Sequence, residues 1–377
     1  MSDYDRGVEK ENLYLRRDVP EIRTPFDPRQ VDIATKVMVI SNVVARLDKD
    51  EIELNPDFQR SMNLWDEQKQ SRLIESLLIR IPLPTFYFDM PDEDHLIVVD
   101  GVQRLCAIKN FMGVQKENAK RLRLTGLEYL KQYNGYTYDE LPSNLQRRLN
   151  EQEIQTYIIK AGTPDNVRNS IFERINTGGL TLTSAEIKNS VYRGRASDFV
   201  RKLAESPEFR KATCYKVKSD RMLDREFVNR FLAFFMLGES EYCENLEDYL
   251  TKVLEKIKND ENVDLDKIEA AFKKAAVAAY ELFGDRAFKR PTIAKNGRER
   301  YGKINKPLYE AIMVQLAKLS DKEMERLLSQ KALFLQSYKN CFNDDEFVSS
   351  IRDGTARIQN VKIRHEKMKV LFNEYGK

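Results

Sequence analysis

The spacing of apolar positions changes character partway along the chain. Up to about residue 195, short β-type runs alternate with helical stretches and prolines; beyond it, prolines thin out and a 3.6-residue period takes over. This pattern predicts an α+β fold, with a small mixed sheet in a first domain over 1–195 and an all-α domain over 196–377. In the first part, Ser41 is placed to cap a short helix through Val43, Val44 and Leu47, and EIEL (51–54) suits a short strand. Asn55-Pro56-Asp57 turns the chain. A helix follows from about Asp66 to Leu78, with Leu73, Ile74, Leu77 and Leu78 on one face. Pro82 and Pro84 stop it ahead of TFYFDM (85–90) and HLIVVD (95–100), two strands, the second apolar enough to be central. HLIVVD runs directly through Gly101 into a helix from Gln103 to Phe111, closed by Gly113. EIQTYIIK (153–160) reads as another strand and Asn166 to Arg174 as another helix. In the second part, segments 224–237, 245–258, 265–283, 307–319, 321–338 and 361–375 carry helical periodicity.

Composition narrows the partners. Hydrophobic residues make up 41% and charged residues 33% of the 377, which suits a soluble globular chain rather than a disordered one. The net charge of +3 balances 63 basic against 60 acidic residues, so any nucleic-acid surface must be local. Cys106, Cys214, Cys243 and Cys341 form no CxxC pair, and only His95 and His365 could join them, which argues against a structural zinc. Scattered thiols, a polar start and no apolar run near the roughly 20 residues of a membrane span point to the cytoplasm and away from membranes.

The densest chemistry sits in VVDGVQRLCAIKNF (98–111). A strand there ends in Asp-Gly and a helix begins at once, so unpaired amides and the positive end of the helix dipole favour phosphate. Gly101 permits close backbone approach. Arg104, in the first helical turn, has the planar fork that grips phosphate oxygens in pairs. Asp100 can cap the helix, hold a magnesium-bound water or orient a nucleophile; Gln103 can hold a ribose, a phosphate or the attacking water. An ordinary turn with an N-cap accounts for Asp-Gly equally well from these residues alone.

Other candidates surround this motif. PDFQR places Gln59 and Arg60 after a turn, with Arg60 suited either to phosphate or to a surface salt bridge. Phe58 and Trp65 suit the core better than a base stack. FERINTGG (172–179) ends a helix in a glycine turn, placing Arg174 and Asn176 at an active-site wall; Thr183 or Ser184 caps the next helix, with Glu186 and Lys188 in its early turns. The stretch 285–306 is basic, and proline and glycine mark it as a loop. Lys289, Arg290, Arg298 and Arg300 there suit either a DNA backbone or plain solvent. Lys362, Arg364, Lys367 and Lys369 read as a solvated helix face. There is no GxxxxGK[ST], which excludes a P-loop, and two histidines cannot furnish an HNH centre. Carboxylate-only metal sites stay open.

Four motifs in order, PDFQRSMNLW (56–65), SRLIESLLIRIPLPTFYF (71–88), VVDGVQRL (98–105) and FERINTGGLTLTSAEIKNSVYRG (172–194), resemble the GmrSD-type restriction endonuclease N-terminal domain family. That family is related to ParB and sulfiredoxin domains and is usually marked by Asp-Gly-Gln-Gln-Arg. The resemblance covers the first half of the chain and implies a ParB/sulfiredoxin-like fold for it. It further implies binding of a nucleoside triphosphate, and hydrolysis in several members, coupled to restriction of invading DNA. Asp100, Gln103 and Arg104 would form the phosphate and hydrolysis centre with Mg2+ on Asp100, and Gln59 and Arg60 would lie beside it. Nucleotide, DNA and a separate nuclease subunit are the partners this implies, with self-association left open. Val102 departs from the pattern by replacing its first glutamine. Cys106 lies past the motif, so sulfiredoxin chemistry is rejected. Competing with hydrolysis is a non-enzymatic ParB-like adaptor that uses nucleotide as a switch or not at all. A metal-dependent DNA nickase ranks below both.

Overall fold

The computed structural model describes residues 7–14, 28–54, 65–92, 95–114, 121–175, 183–243, 245–293 and 299–377. They belong to two compact units: Phe26–Thr181, and Leu182–Lys377 together with Met1–Pro25. The architecture is α+β, with a mixed sheet in the first unit and a mostly helical second unit.

In the first unit, β1 (Ile33–Val39), α1 (Ile40–Asp48), β2 (Ile52–Glu53), α2 (Glu67–Leu78), β3 (Phe86–Asp89), β4 (Leu96–Asp100), α3 (Val102–Met112), α4 (Ser143–Asn150), β5 (Glu153–Ile159) and α5 (Asp165–Ile175) follow one another. The sheet order is β1-β5-β3-β4-β2. β1 pairs β5 antiparallel, β5 pairs β3 parallel, β3 pairs β4 antiparallel and β4 pairs β2 parallel. HLIVVD is therefore interior but not central; TFYF holds the middle position. Strand β3 alternates as the pleat requires: Phe86 and Phe88 are fully buried, whereas Tyr87 between them is half-exposed. Those phenylalanines join a core with Ile74, Leu77 and Leu78 of α2 and Leu105, Ile108 and Phe111 of α3. Trp65 packs partly buried against it, as a core anchor.

Local chemistry explains the helix ends. The Asp66 carboxylate accepts from the Lys69 amide at 2.8 Å and starts α2, and Gly113 ends α3 as the sequence predicts. Helix α1 begins at Ile40 instead of being capped by Ser41; its N-cap is Val39, whose apolar side chain cannot accept a hydrogen bond. The apolar pattern of the sequence predicts neither strand β1 nor helix α4. β1 is an edge strand with Ile33, Thr35 and Val37 exposed, so it lacks a buried alternation, and α4 buries only Leu145 and Leu149. The loop over 121–138 is clamped by buried Glu75, whose carboxylate accepts from the amides of Glu128, Tyr129 and Leu130 at 3.0, 2.8 and 2.8 Å. Burial works against that charge, but the three amides outweigh it and lower the pKa.

The second unit stacks α6 (Ser184–Val191), α7 (Arg195–Ala204), α8 (Pro207–Ala212), α9 (Leu223–Met236), α10 (Leu246–Asn259), α11 (Leu265–Phe283), α12 (Lys306–Lys318), α13 (Asp321–Ser329), α14 (Lys331–Asn340), α15 (Asp345–Ser350) and α16 (Ile358–Gly376). Helix α12 is buried nearly all round, from Pro307 to Ala317. The single helix expected over 321–338 is divided at Gln330, which leaves helical geometry between α13 and α14. Residues 182–195 group with this unit because Thr183 caps α6 through a box with Glu186 and donates to the Arg221 carbonyl, while Arg221 pairs with Glu186. The segment 7–14 also belongs here, through β-bridges from Val8 to Ile304 and Asn12 to Asp353.

Two expectations for this unit are corrected. The basic stretch 285–306 is not a loop throughout: β6 (Lys289–Ile293) and β7 (Glu299–Ile304) form an antiparallel hairpin, with Pro291 tolerated beside a register irregularity. Arg364 is not on a solvated face; its side chain is 1% exposed, and its guanidinium donates to Glu310 and to the Thr355 carbonyl, the latter at 2.6 Å. Lys362 and Lys369 are exposed as expected.

Candidate functional site

The junction between β4 and α3 is built from three adjacent constraints. First, β4 and β3 lose register between Tyr87 and Phe88, so Tyr87 faces Asp100 while Phe88 faces Val98. Such an irregularity re-aims the side chain at a strand end. Second, Gly101 takes φ +101°, and a Cβ there would lie 2.4 Å from the Phe86 ring. Only glycine fits, for both backbone and steric reasons. Third, Gly101 is the N-cap of α3 and has no side chain to cap it, so the positive end of the helix is left to other acceptors.

Arg104 closes the site from within. Its Nη2 donates to Asp100 Oδ2 at 2.8 Å and to the Thr85 carbonyl at 3.2 Å, and Nη1 donates to the Pro84 carbonyl. The guanidinium carbon stands 4.3 Å above the Phe86 ring. The side chain is 12% exposed and its partner Asp100 30%. Burial lowers the Arg104 pKa and the Asp100 charge opposes that shift. The fork is thus turned inward, onto a carboxylate and two carbonyls. Its chemistry is to hold Asp100 in one orientation while leaving part of that carboxylate in solvent.

Gln103 is half-exposed in the first turn of α3, and its Oε1 accepts from the Trp65 amide at 3.4 Å. Gln70 continues the contact, donating to the Trp65 carbonyl at 2.8 Å and accepting from Asn110 of α3 at 2.9 Å. The end of the PDFQRSMNLW motif is therefore brought to the junction. Gln59, Arg60, Asn176 and Arg298 lie outside the described residues. Arg174 is exposed near the end of α5, and no hydrogen bond or ion pair among the described residues joins it to Asp100. Cys106 is buried in α3 and its thiol is pushed up to about 12, chiefly by desolvation, which makes it inert. Among the described residues no cluster of three or more His, Cys, Asp or Glu could hold a metal. No helix among them is long and apolar enough to cross a membrane.

Three features escaped the sequence reading. Arg168 of α5 is buried against Asp89 at 3.4 Å and donates to the Lys160 and Ala161 carbonyls, tying α5 to the end of β3. Tyr87 and Tyr157 stack across the sheet with centroids 5.2 Å apart. In the helical unit, a cavity of about 130 Å³ is lined by Lys188, Asn189, Tyr192, Arg225, Asn229 and Leu254. Lys188 is 4% exposed and pairs with Glu247, and the buried Oδ1 of Asn229 has no hydrogen-bond partner. An apolar residue in place of Lys188 would have suited the helix period better, and that mismatch was the available signal.

The hairpin residues divide. Arg290 is taken up by Glu9 at 3.0 Å, and the Lys289 ammonium donates to the Asp285 carbonyl at 2.5 Å. Arg300 and Lys303 are exposed on β7.

Compared with known families, residues 42–193 match the model described as GmrSD restriction endonuclease, N-terminal domain. No curated protein and no solved structure matches the chain.

Proposed function

We propose that this chain, whose residues 42–193 match the GmrSD restriction endonuclease N-terminal domain model, serves DNA restriction by binding, and hydrolysing, a nucleoside triphosphate at the Asp100–Arg104 junction. The observation that supports this reading is the part-exposed Asp100 carboxylate, fixed by Arg104 beside the uncapped N-terminus of α3. Phosphate oxygens gain from that helix end. Phosphoryl transfer depends mainly on positioning and charge stabilisation, so few groups are required. Gln103, half-exposed one turn from the carboxylate, orients the attacking water. Arg104 acts as a positioning residue through Asp100 rather than as a second phosphate ligand. A lone carboxylate with substrate phosphates and water is an ordinary magnesium environment, so Asp100 fits that role. Magnesium bound there would neutralise phosphate charge. Val102, in place of a glutamine, contributes no polar group.

Phosphate release measured with ATP, GTP, CTP and UTP in the presence of magnesium tests this. Wild type turns over at least one of them, and Asp100→Ala and Arg104→Ala lower the rate on the order of 100-fold. Absence of both binding and turnover for all four nucleotides contradicts the reading.

One observation favours a second reading, that of a DNA-binding adaptor. The β6–β7 hairpin presents Arg300 and Lys303 to solvent. DNA binding that persists without nucleotide, and weakens with salt and on neutralising Arg300 and Lys303, supports it. Binding insensitive to those changes removes it.

A further inference from the structure

The cavity in the helical unit has a lining that the Asp100 junction does not explain. Its volume is about 130 Å³, and α6, α7, α9 and α10 enclose it. Ser184 and Ser197 in its wall are part-exposed, so the cavity reaches solvent.

Three kinds of group form the wall. Val200, Leu250, Leu254 and the Tyr192 ring are buried and supply apolar surface. Lys188, Glu226, Glu247 and Arg225 supply charge, and each has an opposite charge beside it. Lys188 pairs with Glu247, and Glu226 with Lys306 at 2.7 Å. Arg225 follows Asp224, whose carboxyl is pushed up to about 6 by burial while the Arg225 amide and charge oppose the shift. The wall charges therefore cancel locally, and the cavity selects no ion. The third kind is a single amide. Asn229 is 5% exposed; its Nδ2 donates to the Leu250 carbonyl at 3.4 Å, and its buried Oδ1 meets no donor among the described residues.

A buried carbonyl oxygen without a donor costs the fold its lost hydration. One water would satisfy it, and a water needs only roughly 10–15 Å³ of such space. The cavity offers about ten times that, and its apolar side gives further water nothing to bond. An apolar cavity of about 150 Å³ takes up benzene. The size here thus matches one six-membered ring, and the lone acceptor asks that ring to carry a donor.

We propose that this cavity is a binding site for a small neutral molecule: a single aromatic or heteroaromatic ring whose N–H or O–H donates to Asn229 Oδ1. The ring packs against Leu250, Leu254 and Tyr192, and the donor fixes its direction. Such a site chooses by hydrogen bond rather than by charge, so it rejects a ring of equal size that lacks the donor. It is separate from the Asp100 junction, and it stands or falls independently of nucleotide binding.

The test titrates the full chain with para-fluorophenol and with fluorobenzene, followed by fluorine NMR. The two probes differ by one hydroxyl. Wild type binds para-fluorophenol saturably and about tenfold more tightly than fluorobenzene, the gain from one hydrogen bond to a buried acceptor. Asn229→Leu, similar in volume but without the acceptor, binds fluorobenzene at least as tightly as para-fluorophenol. Val200→Phe fills the cavity and abolishes binding of both probes. Thermal melts establish that each variant is folded. Should Val200→Phe not fold, Val200→Leu takes its place, with weakened binding as its expected result; should Asn229→Leu not fold, the wild-type difference between the probes decides. A hydroxyl preference that survives in Asn229→Leu, unchanged binding in the filled variant, or equal binding of the two probes by wild type overturns the proposal. So does failure of wild type to bind either probe, which leaves water as the occupant.

Discussion

Two arginine–carboxylate clusters, one in each unit, show how the same pairing serves different ends. In the helical unit, Arg230 and Arg364 flank Glu310, which is fully buried; Arg230 meets it at 3.0 Å and Arg364 at 2.9 Å. Glu11, from the N-terminal segment, completes the set by accepting from Arg230 and from Thr355. Burial alone disfavours the Arg230 charge, but Glu11, Glu310 and Glu226 outweigh it and raise the pKa. Arg230, Arg364 and Glu310 at its centre are enclosed, so the cluster specifies how the helices and the segment 7–14 pack. In the sheet unit, Arg104 is held as firmly, yet its carboxylate partner is left part-exposed at a helix N-terminus. A sealed cluster is architecture; a braced carboxylate facing solvent is available for chemistry.

The sharpest way to break this contrast is Glu310→Ala, which leaves two buried guanidiniums short of their shared partner. Unfolding by urea should show a loss of about 3–5 kcal/mol. A loss below about 1 kcal/mol would mean that water reaches the cluster and that it is not sealed. Next comes Gly101→Ala, which combines left-handed backbone strain with overpacking against Phe86. It should cost about 2–4 kcal/mol in the same assay; a neutral result would contradict the tight turn.

Glu75→Gln sharpens the picture of the sheet unit by removing a charge that three amides hold. The expected cost is about 1–3 kcal/mol. Because the folded pKa lies below the usual carboxylate value, the contribution of Glu75 is complete above about pH 4.5 and is lost as pH falls through the folded value. The wild-type and glutamine curves should therefore converge in acid. His365 gives a smaller effect of the same direction. It is fully buried against Phe234, and burial, with Arg364 and Lys318 next, drives its pKa well below 6.5. The unfolded chain takes up a proton there below about pH 6.5 and the folded chain does not, so stability falls as pH drops through that value. His365→Phe should flatten this limb of a pH–Tm profile; an unchanged limb would place the titration elsewhere.

Much of this was legible in the residues. The Asp-Gly end of β4, the capped start of α2 and the Thr183–Glu186 box follow from short-range rules that a single chain displays directly. What escaped depends on partners far apart in sequence. Arg364 reads as one of four basic residues on a final helix, and nothing local reveals that Glu310, 54 positions away, takes it inward. Arg168 is hidden for the same reason, its partner Asp89 lying 79 positions away. Arg104 is legible as part of the motif, but its contacts are not: the Pro84 and Thr85 carbonyls that its fork meets lie about twenty residues away. The Tyr87–Tyr157 pair required the sheet order, since β3 and β5 are separated by more than sixty residues and become neighbours only through a parallel pairing. The hairpin was concealed by Pro291 and Gly302, which mark loops in most sequences and here sit on a two-stranded ribbon.

The measurement that bears most directly on the account is calorimetric titration of nucleoside triphosphate, with magnesium, into wild type and Asp100→Ala, each first shown to melt as a folded protein. Saturable binding by wild type, at least tenfold weaker in the variant, is the predicted result. Equal affinity in both proteins, or no binding by wild type to any of the four nucleotides, would contradict it.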